Sequence, residues 1–168
     1  RRLDARTRRL RVECPWDREQ DERSIVPHTV EEAYELADAA NAGDDAGLLD
    51  ELGDVLFQVH FLSLLLEERG AGSLGDVAAH VHAKLVRRHP HVFADAALET
   101  AGEVKERWER LKSEQEGREG IFHDIPETLP SLLHARKAQR RAATVGFDYG
   151  SAVAALEGVD SELVELRD

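Results

Sequence analysis

The stretch EEAYELADAANAGDDAGLLDELGD, Glu31 to Asp54, carries its acidic side chains in two matched sets. Glu32 and Glu35 stand three residues apart, and Glu51 and Asp54 repeat that spacing. On a helix, side chains at i and i+3 share a face. Between the sets, Asn41-Ala42-Gly43 reads as a helix end, because Asn and Gly tolerate the left-handed conformation that closes a helix. The pairs have midpoints at 33.5 and 52.5 and are centred on Gly43. With a rise of ~1.5 Å per residue, each pair lies ~14 Å from the turn. A hairpin folded at Gly43 therefore brings four carboxylates level. Unshielded, they would repel and raise one another's pKa values. A hard divalent cation removes that conflict. Mg²⁺ prefers carboxylate oxygens and keeps coordination positions for water and phosphate, and Mn²⁺ is a substitute. Glu31 reads as a first-turn acid favoured by the helix dipole. The bland alternative is a solvated helix face, with Glu32 closing a capping box on Thr29.

Other chemistries find little support. No histidine has a glutamate three residues before it, so the Glu-x-x-His pairs of a di-iron bundle are missing. One cysteine and no His-x-x-x-His spacing leave zinc poorly served. His123-Asp124 sits beside Pro126 in a stretch that reads as a loop, not as a phosphohydrolase pair. There is no Gly-rich phosphate loop and no Gly-x-Ser-x-Gly. A net charge of −12 opposes binding of a nucleic-acid polymer. It leaves room for a small phosphorylated ligand, because KLVRRHPH (Lys84 to His91) is a local basic cluster. No apolar run approaches the ~18 residues of a membrane span. The lone Cys14 suits a reducing, cytoplasmic compartment. The sequence begins at Arg1 and contains no methionine, so a piece of a longer protein is expected.

The elements that position these groups read as all-α. Ala and Leu dominate, and runs of β-branched residues are rare. The basic N-terminal segment is an expected helix, with Pro15 marking a turn. Thr29 reads as the N-cap of a helix from about Val30 to Asn41. A second helix is expected from Asp45 to Arg69-Gly70, on the spacing of Leu48, Leu52, Val55, Leu56, Val59 and Leu62. Ser73 and Asp76 form a second capping-box pattern for a helix ending before Pro90. HPHVFAD reads as a loop, residues 101–116 as a fourth helix, and SLLHARKAQRRAA and SAVAALEGVDSELVELRD as two more. Leu62, Leu64, Leu65 and Leu66 cannot all face one side of a helix, so a two-fold partner is expected to cover the remainder.

Glu31-Glu32-x-x-Glu35 followed by Glu51-x-x-Asp54 resembles the signature of the MazG-type nucleoside triphosphate pyrophosphohydrolases. CPWDREQ, ELGDVLFQV, KLVRRHPHVFAD, VKERWERLK and DIPETLPSLLHARKAQRRAATVGFDY extend the resemblance over nearly the whole chain. It implies antiparallel helical hairpins in a four-helix-bundle-like domain completed by homodimerisation. It implies Mg²⁺-dependent cleavage of a nucleoside triphosphate to monophosphate and pyrophosphate, clearing surplus or non-standard nucleotides. The family's metal ligands correspond to Glu32, Glu35, Glu51 and Asp54, and its phosphate contacts to Lys84, Arg88 and Lys112. Trp108 matches a substrate-site tryptophan. Glu35, Lys84 and Arg88 are the expected catalytic side chains. Other roles stay open: Lys84, Arg87 and Arg88 suit a helix C-terminus, and Trp108 suits a core or dimer anchor. Trp16 reads as packing the N-terminal turn.

Glu32-Ala-Tyr-Glu35-Leu36-Ala-Asp38 is echoed by Glu162-Leu-Val-Glu165-Leu166-Arg-Asp168 at an offset of 130. The expected organisation is a catalytic domain over 1–116, a linker over 117–126, and the incomplete start of a second copy over 127–168. The rival expectation is a catalytically silent helical dimerisation or partner-binding module.

Overall fold

The computed structural model describes residues 2–94, 100, 102, 120–123 and 125–167. Every regular element among them is a helix. Residues 1–87 form one compact unit and residues 88–168 another.

The first unit begins with α1 (Arg2–Glu13), as its basic amphipathic pattern predicts. Pro15 opens a short helix, α2 (Pro15–Glu19), rather than a turn. A proline at the first helical position gives up only an N–H that has no helical acceptor there. The hairpin follows as α3 (Glu22–Ala42) and α4 (Asp45–Glu68). The start of α3 corrects the Thr29 cap. Asp21 is the N-cap, and it closes a reciprocal box with Ser24: Ser24 N–H donates to Asp21 Oδ1 (2.8 Å) and Asp21 N–H to Ser24 Oγ (2.9 Å). That box lies two turns upstream of Thr29. Thr29 is then a helix-interior residue whose hydroxyl donates to the Ile25 carbonyl at 3.3 Å. Pro27 is accommodated inside α3, where it withholds one N–H from the helix.

Gly43 ends α3 in the left-handed conformation (φ 69°), which glycine adopts without steric cost. Asp44 caps α4 by accepting from the N–H groups of Ala46 and Gly47, both at 3.1 Å. The hairpin's core lies toward its open end. Ile25 on α3 meets Phe61 and Leu65 on α4, with Phe57 and Leu62 packed around them. Ile25 and Phe61 are each eighteen residues from Gly43, so one register serves the whole hairpin.

The charged face of α1 is bolted to the end of α4. Arg8 makes a two-pronged contact with Glu67, and Arg11 makes another with Glu68 at 2.8 Å on each prong. Arg11 also donates to the backbone carbonyls of Asp17 and Gln20 and lies 5.8 Å from the Phe61 ring centroid. One guanidinium thus ties α1, α2 and the approach to α3 onto α4, through bidentate geometry and a cation–π contact.

Helix α5 (Leu74–Arg88) starts at the expected Ser73–Asp76 box, with Ser73 N–H to Asp76 Oδ2 at 2.8 Å and Asp76 N–H to Ser73 Oγ at 3.2 Å. It buries no residue, and Val77, Val81 and Leu85 stay exposed along it. In the second unit, Pro90–Phe93 form a single helical turn, α6, where a loop was expected. Pro90 at its first position again suits a helix start. α7 (Ser131–Ala143) and α8 (Ala152–Glu165) match the expected pair, and Ser151 caps α8 by accepting from Ala154 N–H at 3.1 Å. The Tyr149 ring lies against Gly158, leaving no room for a Cβ inside α8. The expected helix 101–116 lies, apart from Gly102, outside the described residues, as do Trp108, Lys112 and residues 117–119 of the expected linker. No described helix is long and apolar enough to cross a membrane.

Candidate metal centre

The hairpin register decides which acids meet. Glu35 and Glu51 each lie eight residues from Gly43, and Glu32 and Asp54 each lie eleven. Glu32, Glu35 and Glu51 do converge, each offering an oxygen within 4.8 Å of the others. Glu32 and Glu51 are half-buried and Glu35 is exposed. Asp54, shorter by one methylene and exposed, falls outside that trio. Its charge still reaches the site, because it helps to raise the Glu32 pKa.

Burial comes first in holding the Glu32 carboxyl above the ordinary glutamate range, followed by the charges of Asp54, Glu35 and Glu31, with His28 pulling the other way. Glu51 is pushed up by burial, then by Glu35, Glu32 and Asp54. Its Oε2 is buried without a hydrogen-bond partner. Buried acceptors are seldom left so. An acceptor-only oxygen of this kind, in a cluster of repelling carboxylates, fits a hard oxygen-seeking cation such as Mg²⁺.

The two shifts set a pH dependence. Both are upward, so the native state holds protons that the unfolded chain releases at lower pH. Stability therefore falls as pH rises from the unfolded value through the raised folded values. Asp21, Asp76 and Glu68 are shifted downward by their hydrogen bonds and would oppose this trend. They are common to the parent and to Glu51→Gln, and so cancel in a comparison of the two. Without metal, Glu51→Gln is expected to melt progressively higher than the parent as pH rises from the ordinary glutamate range through the raised folded values. If the trio holds Mg²⁺, a saturating concentration is expected to reverse that order, because only the parent keeps all three carboxylates. Thermal melts across this range check both statements. A difference that does not grow with pH would mean that the acids are dispersed in solution.

Lys84 and Arg88 both lie on α5, one turn apart and half-buried. Side chains at that spacing share a helix face. His28 and Gln58, one turn beyond the acids, and Trp16 against His28 escaped the spacing arguments. His28 precedes Glu32 by one turn on α3, and its Nδ1 lies 3.1 Å from Glu31 Oε2. Trp16, just over half exposed at 52%, sets its ring 5.8 Å from His28 in an edge-to-face arrangement. Gln58 is buried at 6% exposure with Oε1 lacking a partner. His28 and Gln58 each lie fifteen residues from Gly43. Counting one further helical turn of four residues outward from Glu32 and Asp54 would have exposed this layer.

Comparison with known proteins places these features in context. Residues 20–93 match the model of the MazG nucleotide pyrophosphohydrolase domain. The chain is 44% identical over 156 residues to the nucleoside triphosphate pyrophosphohydrolase of Escherichia coli K12, covering 91% of this chain and 59% of that protein. It is 38% identical over 157 residues to the nucleoside triphosphate pyrophosphohydrolase/pyrophosphatase MazG of Thermotoga maritima, covering 92% of this chain and 60% of that one. The chain thus spans about three fifths of the length of these curated relatives. The crystal structure of a mazG-related protein from Thermotoga maritima superposes with a TM-score of 0.58 at 23% identity, over 67% of this chain and 98% of that one. That likeness supports the helical fold.

Proposed function

We propose that this chain, which belongs to the MazG nucleotide pyrophosphohydrolase family, carries a Mg²⁺-dependent centre that cleaves nucleoside triphosphates to monophosphate and pyrophosphate. The observation that supports this most is the meeting of Glu32, Glu35 and Glu51 with a buried, unpartnered oxygen on Glu51. In this reading those three carboxylates hold the metal, with Asp54 joining them. When bound, Mg²⁺ supplies charge neutralisation on phosphate oxygens and activation of a water nucleophile. Glu35, exposed among the three, is suited to take the proton that such a water releases. Lys84 and Arg88 offer two cations along one face of α5 for a triphosphate that the acids alone would repel. Lys112 and Trp108, by family resemblance, add a further phosphate contact and a stacking surface for the base.

A second copy of the chain would cover apolar side chains left open in the first unit: Val77, Val81 and Leu85 on α5, and Leu49, Leu52 and Leu56 on α4. Closed two-fold assembly is the commonest way to bury such faces. Sedimentation should then show a dimer, and a monomer alone at micromolar concentration would leave those faces to another partner. Removal of surplus or non-standard nucleotides is the role that fits a site built from metal, cations and a stacking ring. The deciding experiment is pyrophosphate release from a panel of nucleoside triphosphates, with and without Mg²⁺. Mg²⁺-dependent release from at least one substrate is expected. No release from any would make the domain a silent helical module that keeps only the fold.

A further inference from the structure

Among the described residues, three side-chain oxygens are buried with no hydrogen-bond partner: Glu22 Oε1, Glu51 Oε2 and Gln58 Oε1. Glu22 Oε1 has Arg69 Nε at 3.2 Å in an ion pair. The other two both lie on α4, seven residues apart. Glu51, Asp54, Gln58, Phe61 and Leu65 follow one another at alternating steps of three and four, which sets them on one stripe of a helix. That stripe faces α3. Its inner end meets Glu32 and Glu35, and its outer end meets Ile25. Gln58 therefore occupies the seam between the carboxylates and the apolar core.

An apolar side chain would fill that seam at less cost. Gln58 is only 6% exposed, and a buried amide oxygen without a donor is destabilising. Its surroundings supply no donor. Toward the turn, the next side chains on the facing stripes are Asp54, Glu51 and Glu32, and ionised carboxylates only accept. Outward stand Phe61 and Leu65, which have no polar hydrogen. His28, at the same level on α3, directs its Nδ1 to Glu31 at 3.1 Å. Helical side chains lean toward the N-terminus of their helix, so Gln58 leans toward the acids and away from the core. A place that lacks a donor thus adjoins a cluster that lacks a cation. A hydrated divalent cation answers both needs. Mg²⁺ takes carboxylate oxygens directly and gives up its remaining waters reluctantly, and each retained water is a donor. Seven residues are ~10.5 Å of helix, a separation that two leaning side chains, an ion and one coordinated water can span.

We infer that Gln58 is a positioning residue of the carboxylate centre, whose amide oxygen accepts a hydrogen bond from a water held by the divalent cation. The inference rests on the metal-binding reading of Glu32, Glu35 and Glu51. Gln58 neither ligates the ion nor touches the reacting atoms. It fixes the direction of a coordinated water, as residues hydrogen-bonded to metal ligands commonly do. A neutral amide does so without adding another charge to carboxylates that already repel one another.

The test pairs metal-free stability with Mg²⁺ affinity, because the two are expected to move in opposite senses. Gln58→Met keeps the length of the side chain and removes the oxygen. Without metal, the full-length variant is expected to melt at or above the parent's temperature, since it loses a buried acceptor that has no partner. Its Kd for Mg²⁺, measured by calorimetry without nucleotide, is expected to rise roughly tenfold. At saturating Mg²⁺, kcat for pyrophosphate release should fall by a similar factor, with KM for the nucleoside triphosphate within about twofold of the parent. Gln58→Glu keeps an acceptor oxygen and is expected to bind Mg²⁺ at least as tightly as the parent, while melting lower without metal because it adds a like charge. A metal-free melting temperature for Gln58→Met below the parent's would overturn the inference, since it marks a structural role. So would an unchanged Mg²⁺ affinity in that variant, which would leave Gln58 to a water independent of the ion. Weaker Mg²⁺ binding by Gln58→Glu than by the parent would overturn it as well. If the parent itself binds no Mg²⁺, the metal reading fails and this inference falls with it; a parent that binds Mg²⁺ beside a Gln58→Met that binds it equally sinks the inference alone.

Discussion

Glu51→Gln is expected to lower Mg²⁺-dependent pyrophosphate release by roughly 10²–10³-fold or more, with helix content and assembly unchanged. Gln fills the same volume and keeps one oxygen, so packing against α3 survives. The lost charge is what matters. Glu51 carries the buried oxygen that lacks a protein partner, and its carboxyl is raised by burial and by Glu35, Glu32 and Asp54. A group kept in so unfavourable a setting contributes nothing to folding that Gln would not supply better. Asp54→Asn separates two versions of the site. Asp54 lies outside the 4.8 Å trio, but its charge bears on Glu32. A loss as deep as that of Glu51→Gln would make it a direct ligand that closes in when the metal is present. Activity within about threefold of the parent would leave a three-carboxylate site with Asp54 tuning it from a distance. Release by Glu51→Gln at the parent's rate would remove the cluster from the chemistry altogether.

The part of this site that could be read from the sequence is the part fixed by helix geometry alone. Two i, i+3 pairs placed symmetrically about a turn glycine come level when the hairpin closes, and meet where their faces point at one another; Gly43 closes it in the left-handed conformation that Asn41-Ala42-Gly43 suggested. Caps chosen by short-range hydrogen bonds were legible where one candidate stood alone, as at Ser73–Asp76. They misled where two competed. Thr29 and Glu32 carry the residue types of a capping box, yet Asp21 and Ser24 took that role eight residues earlier. Once α3 extends through Pro27, Thr29 is interior and Glu32 is released to face α4. Contacts made across long sequence separations were not legible. No periodicity links Arg11 to Glu68 or Trp16 to His28; these depend on how α1 and α2 fold back against the hairpin. Asp54 shows a subtler limit. Spacing places it level with Glu32, but one methylene less of reach keeps it outside the trio.

The second large effect separates the two copies of the Glu-x-x-Glu pattern. Glu32→Ala with Glu35→Ala is expected to abolish hydrolysis, because it removes two of the three converging carboxylates, among them the exposed one suited to accept a proton. Glu162→Ala with Glu165→Ala is expected to leave hydrolysis within about twofold of the parent. The two pairs share their spacing, and both lie on helices, α3 and α8. They differ in what faces them. Glu32 and Glu35 have Glu51 across the hairpin, and burial adds to the repulsion felt by Glu32. Glu162 and Glu165 lie at the exposed end of α8, and no Glu-x-x-Asp follows them in this sequence. Two hydrated carboxylates on an open helix compete poorly for Mg²⁺, which gives up its water shell reluctantly. Pyrophosphate release and Mg²⁺ titration of both double variants check the contrast. Equal losses would show that α8 contributes carboxylates to the working centre, from its own chain or from a partner. The repeat at the end of the sequence would then be part of the proposed metal centre instead of the start of a separate one.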